Sequence, residues 1–186
     1  MAARRVGENT VAKWSFQEAH TAAEFCVRHM MVTYVRGHFK NVRGTLEFDP
    51  DRPEQASAAV TIDTAELWTG EPERDQHLGS GHFLDVEHHP AITFRSTKVE
   101  PTARNEYKVT GDLTIRGVTK PVTLEVRYLG QGRSPFDDTR AGFTATARIN
   151  RHDFGVSWNS DMQDGGVVVG DDVFITVDAE AILERA

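Results

Sequence analysis

Apolar and polar residues take turns along most of this chain, and that rhythm admits few folds. From Val122 to Tyr128 the even positions are Val122, Leu124, Val126 and Tyr128, with Thr123, Glu125 and Arg127 between them. Phe143, Ala145, Ala147 and Ile149 alternate in the same way with Thr144, Thr146 and Arg148, and Val173, Ile175, Val177 and Ala179 with Phe174, Thr176 and Asp178. Tyr107, Val109, Leu113 and Ile115 share one parity with Gly111 among them, and shorter versions occur at Phe25/Val27, Val60/Ile62 and Ile92/Phe94. A period of two sends successive side chains to opposite faces of a sheet, so these segments read as antiparallel strands with one face buried. The pattern leaves no room for long helices.

Strands are expected at 10–17, 21–29, 39–49, 55–64, 91–100, 105–116, 121–130 and 139–150, with a ninth at 171–183. Turn residues separate them at Asp49 to Pro53, Pro101 to Asn105, Arg116-Gly117, Gly130 to Pro135 and Gly165-Gly166. Such connections suit an all-β fold, a single closed antiparallel β-barrel of about eight strands, because closure removes unpaired edges; a two-sheet sandwich is the alternative. Residues 30–36 are expected to make one helical turn. The clearest helix is expected within 71–80, with Pro72 at its first position, two acids in the first turn and Gly79 ending it in a left-handed conformation. Across a barrel mouth, such a helix would plug or gate it. Residues 1–12 read as a flexible N-terminal segment and 13–183 as one domain, which suits a length of 186 residues.

Lys and Arg number 21 against 28 Asp and Glu, a formal charge of −7. That balance argues against nucleic acid or an anionic membrane as partner, both of which call for a basic face. No stable membrane insertion is expected, since no apolar run approaches the ~20 residues that cross a bilayer. Polar residues follow Met1-Ala2-Ala3-Arg4-Arg5 where an export signal would be apolar, so a cytoplasmic location is expected. The lone Cys26 excludes an internal disulfide, and it shares the parity of Glu24 and Arg28 with no base beside it.

His77, His82, His88 and His89 cluster in one segment, but a metal needs three or four ligands converging on one point. His88 and His89 are adjacent and point opposite ways in an extended segment, while His77 and His82 are not one helical turn apart. Solvated imidazoles are the better reading, and no metal is expected. There is no Gly-x-Ser-x-Gly elbow, no Gly-x-Gly-x-x-Gly after a strand and no carboxylate pair that marks acid–base work, so no catalytic residue is nominated. Arg74 with Asp75, and Arg151 with Asp153, read as ion pairs that pin loops to the rim.

A soluble barrel of this size is either filled by side chains or holds one small apolar ligand. Ala23, Ala58, Ala145, Ala147 and Gly111 are small residues at inward positions, which leaves room unless bulky partners face them across the barrel. Pattern alone leaves both open.

Several strings in fixed order carry a family resemblance: His20-Thr21, Phe25-Cys-Val-Arg-His29, Val35-Arg-Gly-His-Phe39 and Val42-Arg-Gly44. Arg74-Asp-Gln-His-Leu78 follows, with Phe83-Leu-Asp85 and Pro90-Ala-Ile-Thr-Phe94, then Gly111 through Val122, Arg151-His-Asp-Phe-Gly155 and Val169-Gly-Asp-Asp-Val173. From about Lys13 to Ala181 the chain resembles the YceI-like family, lipid-binding proteins with an extended lipocalin-like barrel. It departs at Thr21, where Ser is common, and at Trp68, where a smaller residue is expected; facing the lumen, Trp68 would shorten the cavity.

The resemblance implies a long apolar tunnel that holds a polyisoprenoid or similar amphiphile, such as a quinone tail or fatty amide, for carriage or storage rather than chemistry. Ligand contacts are expected from Phe25, Val27, Ile62, Phe94, Leu113, Ile115, Leu124, Val126, Phe143, Ala145, Ile149 and Ile175. Phe39, Phe83 and Phe154 within the matching strings join them, with His29 and Arg74 as rim donors for a head group. The bound lipid is the expected ligand, with no cofactor beside it, and a homodimer is left open. Many relatives are exported, which leaves the compartment open. The competing readings are an enzyme on a hydrophobic substrate, metal-assisted through segment 77–89, and a solid-core stress or interaction module acting through loops such as 131–140.

Overall fold

The computed structural model describes residues 11–163 and 165–185. Within them, eleven strands join in one sheet: β1 (Lys13–Phe16), β2 (Ala22–His29), β3 (Thr33–Phe39), β4 (Val42–Glu47), β5 (Ser57–Asp63), β6 (Leu67–Trp68), β7 (Ala91–Ala103), β8 (Glu106–Ile115), β9 (Val118–Arg133), β10 (Thr139–Asn150) and β11 (Val169–Leu183). Neighbours run β1-β4-β5-β7-β8-β9-β10-β11, and β11 returns to β1, so eight antiparallel strands close a ring. The barrel expected from the alternation is the barrel found. Strands β2, β3 and β6 continue the sheet outside the ring, because β11 carries two partners on one edge. Its residues 181–183 pair with β1 and residues 169–178 with β2. One α-helix, α1 (Pro72–Gly79), interrupts the strands among the described residues. The expected flexible segment 1–12 lies, but for residues 11 and 12, outside them.

Several local expectations change. Residues 30–36 form no helical turn: a tight turn at 30–32 leads straight into β3, which pairs with β2 from His29↔Thr33 to Ala23↔Phe39. The alternation there is masked by Gly37, which has no side chain because the ring of Phe25 lies where a Cβ would be, 2.5 Å away. The expected strand 39–49 is divided by a turn in which Asn41 adopts positive φ, and β4 starts at Val42. Strand β7 runs through Pro101 to Ala103, with register shifts near Ser96 and Pro101 that absorb the proline. Pro72 does open α1, and Glu71 caps it by accepting from the Glu73 N–H. Gly79 does not end it in a left-handed conformation; Ser80, in extended conformation, follows as the C-cap.

The interior consists of two separate apolar clusters. One gathers Trp14, Leu46, Phe48, Tyr107, Tyr128 and Phe143; the other gathers Phe39, Phe83, Ile92, Leu113, Ile149 and Phe154. Along β10 the first cluster ends at Phe143 and the second begins at Ile149, with Ala145 and Ala147 between them. On β8 the gap falls at Gly111, whose absent Cβ would lie 2.5 Å from the Arg95 carbonyl oxygen and 2.5 Å from the Phe94 ring. Gly111 therefore makes room for Phe94. A backbone oxygen cannot step aside cheaply, so Gly111→Ala is expected to cost about 1–3 kcal/mol, read as a lower urea midpoint at unchanged slope.

Candidate functional site

Between the two clusters lies a cavity of about 440 Å³. One end of it is aromatic. Phe48 packs at 5.0 Å from Tyr128, 5.2 Å from Phe143 and 6.1 Å from Tyr107, centroid to centroid, and the Trp14 indole N–H donates to the Phe48 carbonyl. Burial raises the phenol pKa of both Tyr107 and Tyr128, so this floor stays uncharged.

All seventeen residues nominated from sequence lie on the cavity wall. Phe25, Val27 and His29 reach it from β2, Phe39 from β3 and Ile62 from β5. Phe94 comes from β7, Leu113 and Ile115 from β8, Leu124 and Val126 from β9. Phe143, Ala145 and Ile149 come from β10, Ile175 from β11, Phe83 from the loop after α1 and Phe154 from the 3-10 turn after β10. Of the small residues, Ala23, Ala58 and Ala145 border the space; Gly111 and Ala147 do not. Trp68 stays outside the cavity, exposed, 4.8 Å from the His38 ring.

Polar groups gather at the opposite end, beneath α1. Arg74 and His77 of α1, His29, Arg151 and Trp158 all border the cavity there. Helix α1 is tied to the strand before it through Thr69, whose N–H and hydroxyl both donate to Asp75 while Arg74 donates to the Thr69 hydroxyl and carbonyl. Arg74 and Asp75 thus share Thr69 instead of pairing with each other. Arg151, expected to pair with Asp153, does not. It is 4% exposed and donates to the carbonyls of Gly170, Val156, Trp158 and Val169, with Asp171 at 4.0 Å. Burial lowers its pKa, Asp171 acts against that, and a guanidinium stays charged throughout.

Three features of this mouth escaped the sequence reading. The His77 and His82 rings meet, Nε2 to Nδ1 at 3.1 Å, because the chain reverses after the helix. The Trp158 ring lies 4.8 Å from His77 and 5.3 Å from Phe83. Arg116 spans from the β8–β9 turn to the carbonyls of Phe83, Gly81 and Gly155, holding the loop after α1 against the barrel. On that loop's outer side Asp85 hydrogen-bonds His88, which lowers the carboxyl pKa and raises the imidazole's. Among the described residues no three His, Cys, Asp or Glu side chains converge as a metal site would need. No helix there is long and apolar enough to cross a membrane.

Comparison with known proteins agrees along nearly the whole length. The model of the YceI-like domain matches residues 14–181. A UPF0312 protein of Pseudomonas putida is 40% identical over 137 residues, covering 74% of this chain and 71% of that one. The crystal structure of Burkholderia cenocepacia BcnA superposes with a TM-score of 0.78 at 27% identity, covering 89% of this chain and 98% of its own. A structure from Saccharophagus degradans, described as a polyisoprenoid binding domain, superposes with a TM-score of 0.67 at 12% identity over 94% of this chain and 99% of its own.

Proposed function

Because the chain belongs to the YceI-like domain family, we propose that it binds a long-chain amphiphile such as a polyisoprenoid and carries or stores it unchanged. The observation that carries this reading is the cavity: small residues stand where two aromatic and aliphatic clusters fail to meet, and the space between is walled by apolar side chains. The fold-mate described as a polyisoprenoid binding domain lends the reading a precedent; an apolar wall of this extent suits an apolar chain. The charged and imidazole donors Arg74, His77, His29 and Arg151 gather at the α1 mouth while Phe48 stands at the other end, so a tail would point to the Phe48 floor and a head group would meet Arg74 and His29.

Each methylene taken from water into such a wall gains about 0.8 kcal/mol, so chain length, more than head group, would set affinity until the tail meets the floor. Native mass spectrometry after gentle extraction is expected to show one lipid-sized adduct. After its removal, a series of prenyl probes should bind more tightly with length and then level off. No adduct and no probe binding would mean a solid or water-filled interior, and a metal-sized adduct with turnover of the probe would favour the enzyme reading.

A further inference from the structure

The turn between β2 and β3 presents apolar side chains to solvent. Val32 is 83% exposed, Met30 41% and Met31 39%, and residues 29–34, His-Met-Met-Val-Thr-Tyr, contain no Asp, Glu, Lys or Arg. The backbone there is unfavourable as well. Met30 and Met31 have φ of 49° and 60°, and the Val32 N–H donates to the His29 carbonyl. Two central residues with positive φ are what a type I′ turn requires, and Asn-Gly serves such a turn far better than two methionines. Arg28 holds the conformation by donating twice to the Met31 carbonyl, and the Met30 N–H donates to Val168.

This tip borders the cavity mouth: His29 before it and Val168 beside it both line the cavity. Exposed Tyr34 and Phe174 extend the apolar surface along the outside of β2, β3 and β11, around a groove that also holds Glu24, Cys26 and Arg36. Arg28 stands opposite Tyr34 and Arg36 opposite Cys26 on these strands, and Arg36 has no carboxylate within ion-pairing distance among the described residues.

We infer that the Met30-Met31-Val32 tip docks on a lipid bilayer, dipping into the interface beside the cavity mouth so that a ligand passes between membrane and barrel without crossing water. Apolar residues on a rigid turn supply the insertion, Tyr34 sits at headgroup depth, and the two guanidiniums meet lipid phosphates. The formal charge of −7 opposes tight electrostatic attachment, so the contact is reversible. The inference rests on the carrier reading for what is passed, and on the tip alone for the docking.

The test compares the full chain with its Met30→Asn/Met31→Gly variant in flotation with vesicles of phosphatidylcholine. The parent is expected to float with the vesicles. The variant should lose at least about tenfold in partitioning, keep or raise its melting temperature because Asn-Gly suits the turn, and bind a soluble prenyl probe as tightly as the parent. Transfer of that probe from vesicles should slow to the same degree as partitioning. A parent that does not float, or a variant that floats equally well, overturns the docking. So does a dimer that sedimentation shows to depend on the tip in the absence of vesicle binding. A parent that floats but binds no probe keeps the docking and removes the carrier reading.

Discussion

Replacing Ala145 with tryptophan is expected to weaken binding of a cavity-filling prenyl probe by nearly two orders of magnitude while the barrel stays folded. Ala145 stands midway between the two core clusters, opposite Val177 of β11 and Val126 of β9 in the ladder, and borders the open space. An indole placed there would occupy wall that a ligand otherwise covers. Displacing about 100 Å² of apolar contact at about 25 cal/mol per Å² costs about 2.5 kcal/mol, close to a hundredfold in affinity. Overpacking a filled core costs about 1–3 kcal/mol, but here the added ring enters room already present, so the melting temperature should move little. Titration of the probe by fluorescence, with circular dichroism as the control, reads both quantities. If the substitution unfolds the protein and the parent never bound the probe, the interior is solid and the carrier reading fails.

Arg151→Met should be the most destabilising single change at the mouth, at about 3–5 kcal/mol. The guanidinium satisfies carbonyls on two separate segments, Val156 and Trp158 after the 3-10 turn and Val169 and Gly170 on β11. Methionine fills similar volume without a donor, so buried acceptors would lose their partners together. For a chain of this length a loss of about 4 kcal/mol lowers the melting temperature by on the order of 10 °C. Arg151→Lys should fall between, since one ammonium cannot reach all four acceptors. A loss below about 1 kcal/mol would show that water takes over the carbonyls.

The legible part of this molecule is the part governed by local periodicity. Strands β7 to β11 stand where alternation predicts them, and their inward parity places Leu113, Val126, Phe143 and Ile175 on the cavity wall. Parity fails where a neighbour across the sheet decides the residue. Gly37 conceals β3 because its choice is made by the Phe25 ring, and the two residues of β6 are too few to show a period. The mouth was least legible. Arg151 reads as half of an ion pair with Asp153, yet its partners are carbonyls, and carbonyls leave no trace in side-chain identity. The meeting of His77 with His82 and Trp158 depends on how the chain turns back after Gly79, which no spacing rule for helices describes.

The ring closes on distant partners: Trp14 pairs with Leu183 and Phe16 with Ala181. Most other neighbouring strands in the ring follow one another closely in sequence, so a meander can zip progressively, but this last seam cannot begin until β11 exists. At a synthesis rate of about 5–20 residues per second, β1 waits roughly ten to thirty seconds for its partner. During that interval the edge of β1 that β11 will cover has no partner, and the ring cannot close. Closure of so long a loop is the step that high contact order slows most. A nascent chain of this design is therefore exposed to chaperones, and to lipid, before it becomes a container.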